Sequence, residues 1–200
     1  ATCPPIADRT DLLSHLDNWE AGTPAAGCTD INTWDVSNVI DFSDLFKDRA
    51  DFNANISNWD TSRVTLLSGT FQGATSFTGD GVSNWDTSSV TSLYYTFSYA
   101  TSFTGDGLLN WDTSRVTSLY YTFNGATSFT GDGLSNWDTS SVTTLSYAFQ
   151  GATSFNGNVS NWDISSVESF EDTFDGTTSL TNCTKRSIYD SWNSQQSGVM

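Results

Sequence analysis

The chain has 200 residues, with seven Lys and Arg against 23 Asp and Glu and a formal net charge of −16. That balance argues against nucleic acid as a partner, because phosphate binding needs a basic footprint that displaces counterions. It also disfavours adsorption to an anionic membrane, and no apolar run approaches the ~18 residues of a membrane span.

Residues 1–33 read as a capping segment. Cys3-Pro4-Pro5 is an extended start, and Asp8 and Thr10 can cap a short helix running from Thr10 to Trp19, which Gly22 ends. Leu12, Leu16 and Trp19 fall on one face of it. A stack of repeats needs such a lid, since its first unit otherwise leaves an apolar face in water. Cysteines stand at 3, 28 and 183, which allows three single pairings with one thiol left over. A bond between Cys3 and Cys28 would close a short loop over this end, contributing about 2–4 kcal/mol. The single histidine, His15, reads as an exposed bystander on the helix. The first residue is Ala1, consistent with a removed signal peptide or tag. With glycosylation acceptor patterns at Asn55, Asn158 and Asn182, the cysteines lean toward secretion or a cell surface.

Residues 34–180 are six copies of one unit. Trp-Asp recurs at Trp34, Trp59, Trp85, Trp111, Trp137 and Trp162, in steps of 25 or 26 residues, the period range of a solenoid or array. With each Trp as position 0, Val stands at position 5 in every copy, Leu or Phe at 8, and Phe at 12. Phe stands at 18 in five copies, and Ile, Val or Leu three residues before each Trp. The spacing of positions 8, 12 and 15 predicts a turn or two of helix. The Ser-x-Val-Thr-x-Leu stretch before it predicts a short strand, and Gly-Asp-Gly turns the chain back. The expected architecture is a leucine-rich-repeat-like, right-handed solenoid with a short parallel sheet and one short helix or 3₁₀ turn per coil. Each Trp then becomes an interior rung burying about 150–250 Å², a gross gain of roughly 4–6 kcal/mol. The Asp at position 1 is expected to accept from a backbone N–H two residues on, and the Asn at position −1 to form an amide ladder.

Residues 181–200 form the closing cap. A short amphipathic helix is expected up to Trp192, with Ile188, Tyr189 and Trp192 covering the open end and residues 193–200 frayed.

The unit Ser-Asn-Trp-Asp-Thr-Ser-Ser-Val-Thr-x-Leu-x-x-x-Phe-x-x-Ala-x-Ser-Phe resembles the repeat of the BspA-like leucine-rich-repeat surface proteins of bacteria and single-celled eukaryotes, and Ile188-Tyr-Asp-Ser-Trp192 resembles that family's closing segment. The resemblance implies a secreted or cell-surface solenoid used in adhesion and recognition, with no catalytic motif to transfer. The chain departs from the family at Thr-Gly-Asp-Gly (78–81, 104–107, 130–133), which replaces an Asn-rich turn.

No catalytic residue is expected. A lone histidine assembles no Ser-His-Asp or Cys-His set, zinc lacks ligands, and the acids sit at repeating positions where a catalytic carboxylate pair would have to break the pattern. Asp80, Asp106 and Asp132 recur along one edge, where each neighbouring pair costs roughly 0.8 kcal/mol in water. Calcium is a candidate to relieve that repulsion, the plainer reading being a solvated glycine turn. The strongest deviation from the repeat is tyrosine. Tyr94, Tyr95, Tyr99, Tyr120, Tyr121 and Tyr147 cluster in three adjacent units, at positions where other copies carry Ser, Gly, Asp or Glu. Stacking would gather them into one aromatic patch, with Thr91, Thr117 and Arg115 beside it, and exposed aromatic patches mark binding sites. The alternative is that some of the phenols pack between coils. A monomeric recognition module for a glycan or a protein is the leading expectation. Ice or mineral binding by Thr/Ser ladders stands second, and a polysaccharide-active enzyme last.

Overall fold

In the computed structural model, residues 2–196 are described. Helix α1 spans Arg9–Glu20, one residue longer at each end than the sequence suggests. Asp8 is its N-cap, its carboxylate accepting from the Asp11 N–H at 3.0 Å, the ordinary way of satisfying an orphan first-turn donor. Leu12 and Leu16 are fully buried and Trp19 is half-buried. A disulfide joins Cys3 to Cys28, and the Ile6 N–H donates to the Asp35 carbonyl at 2.9 Å, tying the segment to the first repeat. His15 is no bystander. It is half-buried, edge-on to Trp34 at 5.7 Å, with Nδ1 3.2 Å from an Asp11 carboxylate oxygen.

The six tryptophans are interior, none more than 4% exposed. Neighbouring indoles stack at 6.5 Å for Trp85 on Trp111 and for Trp111 on Trp137, and at 6.2 Å for Trp137 on Trp162. Each Nε1–H finds a buried backbone acceptor one level back, which for Trp34 is Cys28 O in the capping segment at 3.1 Å. Trp59 donates to Ile31 O at 2.9 Å, Trp111 to Val82 O at 3.0 Å and Trp162 to Leu134 O at 3.1 Å. A second column is built from the position-12 phenylalanines, spaced 5.5 Å between Phe71 and Phe97 and 5.6 Å between Phe97 and Phe123. In the first five repeats each of these packs on the position-18 ring of its own repeat, as Phe97 does on Phe103 at 4.1 Å. Successive repeats therefore lie against one another in register, and this is a repeat protein.

Within the repeat the expected strand and helix are both replaced. Pairing at position 7 is limited to isolated parallel bridges, Asp41 to Leu66, Leu66 to Ser92, Ser92 to Ser118, Ser118 to Thr144 and Thr144 to Ser169, with no strand among the described residues. Over positions 8–15 the chain makes three overlapping tight turns instead of a helix, the middle one closed in the third repeat by the Ser98 N–H on Tyr95 O at 3.1 Å. In the third repeat the Thr96 N–H returns to Leu93 O at 3.2 Å and the Ala100 N–H to Phe97 O at 3.1 Å. A turn closing every four residues brings positions 8 and 12 to the same side, which is why their spacing imitates a helix. The 3₁₀ helices lie elsewhere, just before the Trp, at Ile31–Thr33, Val82–Asn84, Leu108–Asn110 and Leu134–Asn136.

These turns require a left-handed residue at positions 10 and 14 of every repeat. Asp44, Gly69, Tyr95, Tyr121, Tyr147 and Asp172 occupy position 10, and Asp48, Gly73, Tyr99, Gly125, Gly151 and Gly176 position 14, all with positive φ. The turns also give the backbone a direction. N–H groups at positions 8, 10, 12 and 14 point forward to carbonyls at 7, 9, 11 and 13 of the next repeat. Thus Leu93, Tyr95, Phe97 and Tyr99 donate to Ser118, Tyr120, Thr122 and Asn124 at 3.1, 3.0, 2.9 and 2.7 Å.

The Asp at position 1 behaves as expected, Asp60 Oδ1 accepting from the Ser62 N–H at 3.0 Å and its hydroxyl at 2.7 Å. That pair of bonds, side chain first and backbone second, lowers the Asp60 pKa, and the same bonds lower those of Asp112 and Asp163. The amide ladder is not formed. Asn84, Asn110 and Asn161 donate instead to backbone carbonyls of the preceding repeat, Ser57, Ser83 and Ser135.

Helix α2, Asn182–Gln196, closes the other end. Trp192 acts as a seventh indole, its Nε1 donating to Val159 O at 3.1 Å. Gln195 accepts from the Ile164 N–H at 2.8 Å and donates to Trp162 O at 2.9 Å, and residues 193–196, expected frayed, belong to the helix. The rest of that stretch, 197–200, lies outside the described residues. Ile188 is buried, but Tyr189 is 64% exposed and does not cover the end.

Candidate functional site

The tyrosines form two ladders on the turn side of repeats three to five. Tyr94 and Tyr120, at position 9, stack at 5.2 Å. Tyr95, Tyr121 and Tyr147, at position 10, stack at 4.6 and 4.4 Å. The ladders meet edge-on, Tyr94 to Tyr95 at 4.5 Å and Tyr120 to Tyr121 at 4.6 Å. Tyr94 is 43% and Tyr99 56% exposed, while the other four are half-buried against one another. Both readings of the sequence are therefore partly realised: the patch is exposed as a whole, and its members hold each other in place. Tyr99 stands apart at position 14, lying over Gly125, where a Cβ would come within 2.6 Å of the phenol ring.

Four of these residues, Tyr95, Tyr99, Tyr121 and Tyr147, have φ of 55–59°. Bulky side chains rarely adopt that conformation, which costs of the order of 1–2 kcal/mol per residue. Packing shifts the phenols too. Burial, then the neighbouring phenols Tyr94, Tyr121 and Tyr120, pushes Tyr95 up to about 12. A hydrogen bond to Glu171, followed by burial, raises Tyr147.

The patch ends at Glu171 and Asp172 in repeat six, the residues at positions 9 and 10 there. At its other end the position-10 column is interrupted by Gly69. A hollow of about 380 Å³ opens there between Tyr94 and Tyr95 on one side and Asp44 with Lys47 on the other. The two charges pair at 3.7 Å, and Ser68 and Gln72 also line the space. Asp44, Lys47, Gln72 and Glu171 were not legible as rim residues, because their roles follow from column neighbours one repeat away.

The other sequence candidates are less drawn in. Thr91 and Thr117 each spend the hydroxyl proton on the preceding repeat, donating to Thr65 O at 3.3 Å and Thr91 O at 3.2 Å. Arg115 is exposed, and no bond or ring contact among the described residues joins it to the tyrosines. Asp80, Asp106 and Asp132 contribute one carboxylate per loop, accepting from Thr78, Thr104 and Thr130 at 3.4, 3.0 and 2.8 Å. They do not gather into a set. Among the described residues the only three metal-ligating side chains with atoms within 4.8 Å of one another are Cys3, His15 and Cys28, and both thiols there are spent in the disulfide. The Gly-Asp-Gly loops answer to packing: a Cβ on Gly79 would sit 2.8 Å from the Phe103 ring of the next repeat. Cys183 is free and exposed. Among the described residues no helix is long and apolar enough to cross a membrane.

No match is found among curated proteins or among solved structures. One family model matches twice in tandem, over residues 14–108 and 105–200, and its two matches span the six repeats and the closing helix. On that match the chain belongs to the repeat family described as "Mycoplasma protein of unknown function, DUF285".

Proposed function

We propose that this chain is a non-catalytic recognition or adhesion module. In this reading it is a leucine-rich-repeat-like, right-handed solenoid that is secreted or held at a cell surface and binds a glycan or a protein through its tyrosine patch. The observation that carries the reading is the backbone under the patch. Position 10 is Gly or Asp in repeats one, two and six, the residues that suit a left-handed turn, but Tyr in repeats three, four and five. Folding alone favours Gly there, so the phenols are retained against a conformational cost, and strain of this kind collects at functional sites. The hollow beside Tyr94 and Tyr95 adds a concave edge with both charges and an amide. Likeness of the Trp-Asp-Thr-Ser unit to BspA-like repeats and the Cys3 to Cys28 bond support the extracellular placement.

The test is binding to glycan and protein arrays before and after changing Tyr94→Ser, Tyr120→Ser, Tyr95→Gly and Tyr121→Gly together. The expected result is lost binding with the unfolding free energy changed by about 1 kcal/mol or less, because relief of left-handed strain offsets lost ring stacking. Retained binding would overturn the reading, and a collapse of stability would assign the phenols to the core.

The regular Thr columns favour a second reading, adhesion to ice or mineral. Thr101, Thr127 and Thr153 each bond the preceding repeat at 3.3–3.4 Å and so repeat with the backbone. A thermal hysteresis measurement separates this reading from the first.

A further inference from the structure

The forward-pointing backbone bonds have a last member. In repeat six the carbonyls of Ser169, Glu171, Thr173 and Asp175 accept from repeat five at 2.9, 2.7, 3.0 and 2.7 Å. The matching forward donors, the N–H groups of Phe170, Asp172, Phe174 and Gly176, have no hydrogen-bond partner among the described residues. Helix α2 substitutes for a seventh repeat on the indole side, through Trp192, Gln195 and Ser191, and touches the loop through Thr184 on Asn156. On the turn side it leaves a cleft of about 620 Å³ between itself and repeat six, walled by Phe170, Phe174, Ile188 and Trp192. Phe170 and Phe174 are half-buried there, although their column neighbours Leu145 and Phe149 are fully buried.

We propose that this edge captures a peptide segment of a partner protein in the same turned conformation as the repeat, which adds its backbone carbonyls to the four donors and seats apolar side chains in the cleft. The occupant is specified by the molecule itself. Five copies of this edge are already filled, each by carbonyls at alternate residues of a segment whose intervening Leu and Phe enter the core. Backbone addition to an open edge gives affinity, and the side-chain pockets give selectivity. Asp172 and Asp175 against Lys185 leave the rim net acidic, so a flanking basic residue is favoured. A second copy joining head to tail is not the occupant. Its matching carbonyl edge lies under α1, where Arg9 Nε already donates to Ser43 O at 2.9 Å. The site is remote from the tyrosine reading in its chemistry and stands without it.

The experiment is amide hydrogen exchange by NMR on the whole chain, with and without a blocked synthetic peptide copying residues 63–73, which carries Arg63, Leu67 and Phe71 and no tyrosine. In the free protein the amides of Phe170, Asp172, Phe174 and Gly176 are expected to exchange at least about tenfold faster than those of Leu145, Tyr147, Phe149 and Gly151. Saturating peptide should slow those four by about tenfold or more and shift the Trp192 indole resonance, and a peptide with Leu67 and Phe71 both changed to Ser should bind at least about tenfold more weakly. Slow exchange of the four amides in the free chain would overturn the proposal, as would a peptide that leaves them unprotected or perturbs only Tyr95 and Tyr121.

Discussion

The first end of the stack and the last face the same problem with opposite signs. The first repeat presents carbonyls that no preceding repeat can serve, and the last presents N–H groups that no following repeat can use. At the first end the shortage of donors is met by side chains. Arg9 reaches Ser43 O, and Arg49 Nε donates to Leu45 O at 3.3 Å while its guanidinium pairs with Asp17 at 2.6 Å and with Glu20 of α1. Long cationic side chains suit this, since they cover apolar surface and still carry several donors. At the last end acceptors are needed, and Gln195 supplies one, on the indole side only. The core follows the same division: Phe42 and Phe46 are fully sealed under α1, whereas Phe170 and Phe174 are half-buried beneath α2. A closed lid and a partly open one are thus built on repeats of the same design.

The contrast is tested most severely by cutting the same ring at each end. Phe46→Ala is expected to cost about 3–5 kcal/mol. Phe174→Ala should cost about 1–2 kcal/mol, because less of its surface leaves water on folding. Urea unfolding of the two variants measures both, and equal losses would mean that the last end is as tightly sealed as the first. Removing the disulfide with Cys3→Ser should cost about 2–4 kcal/mol and raise amide exchange in α1 before any change in α2. Cys183→Ser should leave the thermal midpoint unchanged. Arg9→Met, which keeps the stem and loses the donor, should cost about 1–2 kcal/mol, measured in the same urea titration, and a loss near zero would mean that water serves Ser43 O equally well.

The middle of the stack supplies the control, since neither lid reaches it. Tyr95 is held protonated up to about 12, against an ordinary value of 10.0. Its folded pKa lies above the unfolded one, so its contribution is full below pH 10 and is lost as the pH rises from 10 to about 12. Stability measured across that window should decline, and Tyr95→Phe should flatten part of the decline without altering the difference between the ends.

The columns were readable because a side chain needed at one level of the stack is needed at every level. Trp, Val and Phe at fixed positions say "interior" six times over, and Asp8, Leu12 and Leu16 mark the lid. The turns were not readable from the same evidence. Four residues per closed turn and 3.6 per helical turn place apolar side chains almost alike, and position 10 hides its left-handed backbone behind three residue types, Gly, Asp and Tyr. The tyrosine cluster could be found as a departure from the repeat, but its stacking order and its hollow depend on which neighbours lie one level above and below. Nothing in the linear pattern marks Asn84 or Asn110 as donors to backbone rather than to each other, since an amide suits either role.

The forward run of backbone bonds over the turns also recurs with little change at every joint between levels. Any level can therefore be excised or duplicated between two tryptophans and the cut faces will rejoin, provided both lids are kept. A gene that gains or loses some 26 codons here lengthens or shortens a ruler without redesigning it, and slides the aromatic patch along its scale.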